Sequence, residues 1–199
     1  MEHATAAAPA VPVDTNTGVD NRKAAVWLFL GSEVMFFAGL IGAYALTRAS
    51  QQKPVEIIQT AIPIISFNTF VLISSSFTMA LSLAFARRGR QRPMKLALLA
   101  TIGLGCLFLS LQIREYGSLY QEGLTMDGST YLFGSLFYLM TGIHGLHVLG
   151  GVVWLSLVLL VALRGGITAR SPERVEYGGL YWHFVDIVWV FIFTIVYLM

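Results

Sequence analysis

Five long apolar runs limit what this chain of 199 residues can fold into. A helix needs about 20 consecutive, largely apolar residues to cross the roughly 30 Å hydrocarbon of a bilayer. Runs of that length lie at about Ala24–Leu46, Ile62–Phe85 and Leu96–Ile113, within Tyr131–Leu163, and within Tyr177–Met199. Hydrocarbon offers the backbone no hydrogen-bond partner, so these runs are expected to be helices. Composition agrees, with 56% hydrophobic and only 12% charged residues, against about a quarter charged in a soluble domain. The expected fold is an all-α membrane protein, a five-transmembrane-helix bundle over residues 24–199. Residues 1–23 are expected to form a mobile tail. The first twenty, Met1 to Asp20, are rich in Ala, Pro, Val, Thr and Asn and have neither the basic start nor the apolar core of a cleavable signal.

The fourth run would measure about 50 Å as one helix. No polar turn divides it, so one span is expected, tilted or projecting beyond the bilayer. Gly142, Gly145, Gly150 and Gly151 permit a bend or close helix packing there. Five spans do not divide into two equal halves, and no transporter-type internal repeat is present.

Charge placement predicts orientation. Arg22, Lys23, Arg87, Arg88, Arg90, Arg92, Lys95, Arg164, Arg170 and Arg174 would share one side of the membrane. Arg48, Lys53 and Arg114 would lie on the other. This bias puts the N-terminus in the cytoplasm and the C-terminus outside. The formal net charge is only +2, and the arginine cluster reads as a topology signal beside lipid headgroups, with no nucleic-acid partner. Arg87, Arg88, Arg90 and Arg92, together with Trp182, are the candidate lipid contacts.

Chemistry-bearing residues inside the runs are few. Glu33 lies about 13 Å along the first helix at 1.5 Å per residue. An ionisable group at that depth is a candidate for function or for a hydrogen bond that locks the bundle. His144 and His147 are three apart, as are His183 and Asp186, so each pair shares a helix face. Metal ligation by this set and mutual hydrogen bonding are both chemically open. Arg114 and Glu115 are neighbours and do not face each other, so each should pair across helices or meet water. Glu176 is expected at the membrane interface. The lone Cys106 excludes a disulfide framework and a thiolate site, and reads as a small apolar filler. No phosphate loop, dinucleotide fingerprint, serine elbow or CxxC pair occurs.

These residues occur in a suggestive order: Ser32-Glu33-Val34-Met35-Phe36-Phe37-Ala38-Gly39, Pro63 with Asn68-Thr69, Gln112-x-x-Glu115-Tyr116, Tyr131-x-x-Gly134, Gly142-Ile-His144-Gly145-Leu146-His147-Val148 and Tyr181-Trp182-His183-Phe184-Val185-Asp186-Ile187-Val188-Trp189. From about residue 24 to 199 the chain resembles subunit III of the haem–copper oxidases. The resemblance implies an accessory subunit without a redox centre of its own. Haem and copper would sit in partner subunits, catalytic subunit I and subunit II, with a small subunit IV as a further partner. Such a subunit supports proton uptake and turnover and binds phospholipid in a bacterial inner membrane. Glu33 matches the family's intramembrane glutamate and is the expected proton-linked carboxyl. His144, His147, His183 and Asp186 match structural positions, which implies a polar clasp between the last two helices and no metal. The long form of the family has two further helices that wall the lipid cleft, and this chain resembles the five-helix form that lacks them. A quinol oxidase subunit III and a nitric oxide reductase accessory subunit are the alternatives within this class. A free-standing transporter using Glu33 and a di-histidine metal enzyme are the rivals outside it.

Overall fold

The computed structural model describes residues 21–48, 57–126, 131–168 and 172–199. The expected tail up to residue 20, together with Lys53 and Arg170, lies outside the described residues. Among the described residues five long helices follow one another: α1 (Asn21–Arg48), α2 (Ile62–Arg87), α3 (Gln91–Gln121), α4 (Tyr131–Leu163) and α5 (Glu173–Phe193). A π-helical turn, Thr194–Leu198, continues α5. All five are long and apolar enough to cross a membrane. The fourth run is one unbroken helix, as its lack of a polar turn predicts. The third extends beyond its apolar stretch at both ends. Asn21, Arg22 and Lys23, read as tail, already belong to α1.

α2 packs on α3, α3 on α4, α4 on α5, and α5 returns to α2, which closes a ring of four helices. α1 lies outside the ring against α4 and α5. Heptad spacing produces the tightest pair. Ile65, Asn68, Leu72, Ser75, Met79, Ser82 and Ala86 of α2 are buried. So are Met94, Leu98, Thr101, Gly105, Phe108, Gln112, Glu115 and Leu119 of α3. Steps of three and four residues keep one seam facing the partner helix, as in a coiled coil. Between them, Gly89 adopts φ 70°. Its N–H bonds Ala86 O while that of Arg90 bonds Phe85 O, a Schellman ending that satisfies the last carbonyls of α2. The same pattern ends α3 at Gly123.

α5 is the helix buried on most sides, and its aromatic side chains form the middle of the ring. Trp182 is fully buried. Its indole N–H donates to Ser75 Oγ of α2 at 2.9 Å. Its ring lies against Gly105 of α3 and Gly151 of α4, where an added Cβ would come within 2.6 Å and 2.8 Å of it. Seven residues on, Trp189 donates to Thr69 of α2 at 3.0 Å. It also meets Phe108 of α3 edge-on and stacks on His144 of α4, both with centroids 4.9 Å apart. Eight residues further, Tyr197 donates to Glu115 Oε1 of α3 at 3.1 Å. A π turn takes in one extra residue, so the step of eight keeps Tyr197 on the seam. Arg48, at the end of α1, donates to Ile195 O and Val196 O at 2.9 and 2.6 Å. A cation there also complements the negative end of α5.

Outside the ring, large apolar side chains point outward, among them Leu28 at 80% exposed, Phe70, Leu146 and Phe191. That distribution suits hydrocarbon as the solvent. Cys106 is exposed on α3, not a buried filler. It lies one step off the seam residue Gly105.

Gly105→Ala and Gly151→Ala should each destabilise the bundle by about 1–3 kcal/mol, because the rigid indole must shift. Gly39, with open space around it, should tolerate Ala or gain about 0.5–1 kcal/mol from helix propensity. Denaturant unfolding in detergent, followed by tryptophan fluorescence, checks the contrast.

Candidate functional site

Glu33 meets His147 across the seam between α1 and α4. Its Oε2 lies 3.2 Å from His147 Nε2. The side chains are 18% and 20% exposed, so the pair sits at the lateral surface and not in the ring's interior. The fully buried Phe37, one turn on from Glu33, packs edge-on against the imidazole with centroids 5.1 Å apart. Tyr181 of α5 donates to His147 O at 3.0 Å.

The other ring nitrogen decides the chemistry. His147 Nδ1 lies 2.9 Å from Ile143 O. A carbonyl only accepts, so Nδ1 carries a hydrogen. Nε2 then either bears a lone pair facing a protonated Glu33, or bears a hydrogen facing a Glu33 carboxylate. In both forms one proton lies between the two residues. The arrangement is a hydrogen-bonded carboxyl–imidazole pair.

The remaining motif residues do not join this pair, and they do not clasp one another. His144 is fully buried among Trp189, Phe108 and Phe37, and neither ring nitrogen has a partner among the described residues. His183 Nδ1 lies 2.6 Å from Ser76 Oγ of α2. Asp186 is buried, and both carboxyl oxygens lack a hydrogen-bond partner among the described residues. No hydrogen bond joins the four residues of the expected clasp: His144 sits among aromatic rings, while Ser76 of α2 meets His183 and also neighbours Asp186. Residues three apart diverge by about 60° around a helix, which in a ring with several neighbours suffices to aim them at different partners. Among the described residues, no three or more His, Cys, Asp or Glu side chains group so as to hold a metal ion.

The other expected residues fall into two places. On the side carrying most arginines, Glu176 bridges Lys23 of α1 at 2.6 Å and Arg87 of α2 at 3.3 Å. Arg88, Arg90 and Arg92 are exposed beside it, free to meet headgroups. Trp182 is no lipid contact of this chain, since it is fully enclosed in the ring. At the opposite side, Arg114 is exposed. Glu115, expected to pair across helices or meet water near the interface, is buried at 4% exposed and takes the first course, accepting from Tyr197 of α5. The seam of α3 carries it inward, and that heptad was the signal in the sequence that could have placed it. Sequence reasoning missed Arg48, Ser76 and the aromatic column of α5, because no local spacing shows which helices meet.

Comparison with known proteins covers the same span. The family model for cytochrome c oxidase subunit III matches residues 12–199. "Cytochrome c oxidase subunit 3" of Alkalihalophilus pseudofirmus is 34% identical over 90% of this chain and 87% of its own length. "Quinol oxidase subunit 3" of Bacillus subtilis is 33% identical over 100% of this chain and 98% of its own. "Cytochrome c oxidase subunit 3" of the same organism is 35% identical over 96% of this chain and 92% of its own. With the family model spanning all five helices and both histidine motifs, the chain belongs to the cytochrome c oxidase subunit III family.

Proposed function

We propose that this chain is the accessory subunit of a proton-pumping haem–copper terminal oxidase that reduces oxygen to water. It packs on catalytic subunit I, beside subunit II and a small subunit IV, in a bacterial plasma membrane. Haem and copper reside in those partners, and this chain contributes packing, phospholipid contact and support of proton uptake. Family membership across residues 12–199 supports the assembly. The observation that carries the proton role is the Glu33–His147 hydrogen bond. The pair lies at the lateral face of the bundle, where a neighbouring subunit can reach it and exchange a proton with it. The buried Phe37 packs edge-on against the imidazole. Cytochrome c and quinol oxidase relatives match at nearly equal identity. The donor is therefore assigned by which of the two sustains oxygen uptake by the purified complex.

His183, bound to Ser76, and Asp186 act structurally on the inner side of α5, as does His144 among its aromatic neighbours. Orientation follows from the clustered basic side, where Glu176 ties α1, α2 and α5 together. That side faces the cytoplasm by the charge bias.

Purification from native membranes should yield this chain with haem-bearing subunits and no metal of its own. Isolation without them, or metal stoichiometric with this chain, overturns the assignment. Glu33→Ala and His147→Gln should both assemble and start at near wild-type rates, then lose activity several-fold faster during sustained turnover. Wild-type endurance in both variants removes the proton role. In a Cys106→Ser background, Arg88→Cys should react with an impermeant maleimide only from the cytoplasmic side and Ser118→Cys only from outside. The reverse pattern inverts the topology.

A further inference from the structure

His183 uses only one of its ring nitrogens inside the bundle. Nδ1 turns inward to Ser76 Oγ of α2 at 2.6 Å. Nε2 has no partner among the described residues and is open at the surface of the partly exposed side chain. His183 lies seven residues beyond Glu176, about 10 Å along the axis of α5. That depth falls well inside a hydrocarbon core roughly 30 Å thick. Ser74, Ser110 and Ser156, also exposed or partly exposed on spans, satisfy themselves: each hydroxyl donates to the carbonyl four residues back on its own helix. His147 uses the carbonyl four residues back through Nδ1. In His183 that atom is committed to Ser76, and Nε2 occupies the far corner of the ring.

The nitrogen opens beside a strip of α5 that lies between α1 and α2. Met79 of α2 marks one edge, 3.3 Å from where a Cβ on Gly179 would stand. Tyr181, stacked on Phe29 of α1 with centroids 6.4 Å apart, marks the other. Between these edges Leu180, Phe184, Ile187 and Phe191 follow in steps of four, three and four, the first two partly exposed and the last two exposed. Glu176, four residues before Leu180, ends the strip by holding Lys23 of α1 and Arg87 of α2. Such spacing forms the row into which another helix fits its side chains. An apolar row alone would suit lipid equally, and the nitrogen decides between them. Acyl chains form no hydrogen bond, headgroups stay at the interface, and the hydrocarbon holds no water. Either tautomer leaves Nε2 one requirement, a donor for its lone pair or an acceptor for its N–H. A hydroxyl or a carboxamide meets both.

We propose that this face of α5 takes a transmembrane helix of a neighbouring subunit, which presents a serine, threonine, asparagine or glutamine side chain to His183 Nε2 deep in the bilayer. Such docking presupposes the oxidase assembly proposed above and adds to it a face and a chemical handle. Ile187 and Phe191 supply close packing, which holds helices together in lipid. The imidazole sets register, because a lone polar group in an apolar seam is matched only when the two helices are aligned along their axes. The face is separate from the Glu33–His147 pair, which joins α1 to α4.

The test places p-benzoylphenylalanine at position 187 or 191 of the full chain, illuminates native membranes, purifies the complex and sequences the adducts by mass spectrometry. The expected product joins α5 to a membrane-spanning peptide of another subunit that carries Ser, Thr, Asn or Gln within two turns of the cross-link. Adducts with lipid alone, or with a span lacking such a side chain, overturn the site. If that result comes from a haem-bearing complex, the assembly stands and only this face is removed, whereas a preparation without haem-bearing subunits removes both. His183→Leu should raise the fraction of this chain lost from the complex in stringent detergent roughly fivefold, as one interhelical hydrogen bond implies. His183→Gln should restore most of the retention. Ser76→Ala removes only the inner partner and should hold at the wild-type level. Full retention of His183→Leu, or equal loss in Ser76→Ala, overturns the hydrogen bond. The cross-link decides the matter if His183→Leu does not assemble.

Discussion

Trp182 fits where it does only because Gly105 and Gly151 carry no side chains. The contact closes the ring: one indole touches α3 and α4 and donates to Ser75 of α2. Trp189 repeats the arrangement one heptad on, against Thr69, Phe108 and His144. Tyr197 extends it toward Glu115. In lipid, apolar burial provides no drive for helices to associate. Close packing and interhelical hydrogen bonds must supply it, and this column concentrates both on one helix. The π turn at its end keeps the last member in register.

Closure of the ring by four helices leaves α1 lateral. Its buried residues, Leu30, Phe37 and Tyr44, are seven apart and form a single seam. Much of the remaining surface of α1 is apolar and exposed, including Leu28 and Met35. Glu33 lies beside the seam, so it reaches His147 on the outward flank of α4 and not the polar groups inside the ring. His144, one turn away on the same helix, is shut among aromatic rings, although it sits only three residues from His147.

Polarity is divided between the two ends by the same packing. One end ties α1, α2 and α5 with a single carboxylate, Glu176, among exposed arginines. The other end places Arg48 over the last carbonyls of α5 and Glu115 under Tyr197. The first arrangement is a partly exposed ion cluster of small energetic weight. The second anchors the aromatic column.

Much was legible in the residues alone. Apolar runs of membrane length become helices because hydrocarbon satisfies no backbone group from outside, so five spans and their rough bounds followed directly. The motif order around Glu33, His144, His147 and Trp182–Trp189 was enough to reveal the family. Seam residues such as Glu115 were readable in principle from the heptad of α3. Partners were not. Spacing on one helix defines a face, but a helix in a ring has several neighbours, and rotation about its axis decides which neighbour each face meets. Tertiary packing alone therefore joined His147 to Glu33 and His183 to Ser76, and left Asp186 without a hydrogen-bond partner among the described residues. It also enclosed Trp182, because one of the two glycines opposite it, Gly105, belongs to α3, which sequence order does not place against α5.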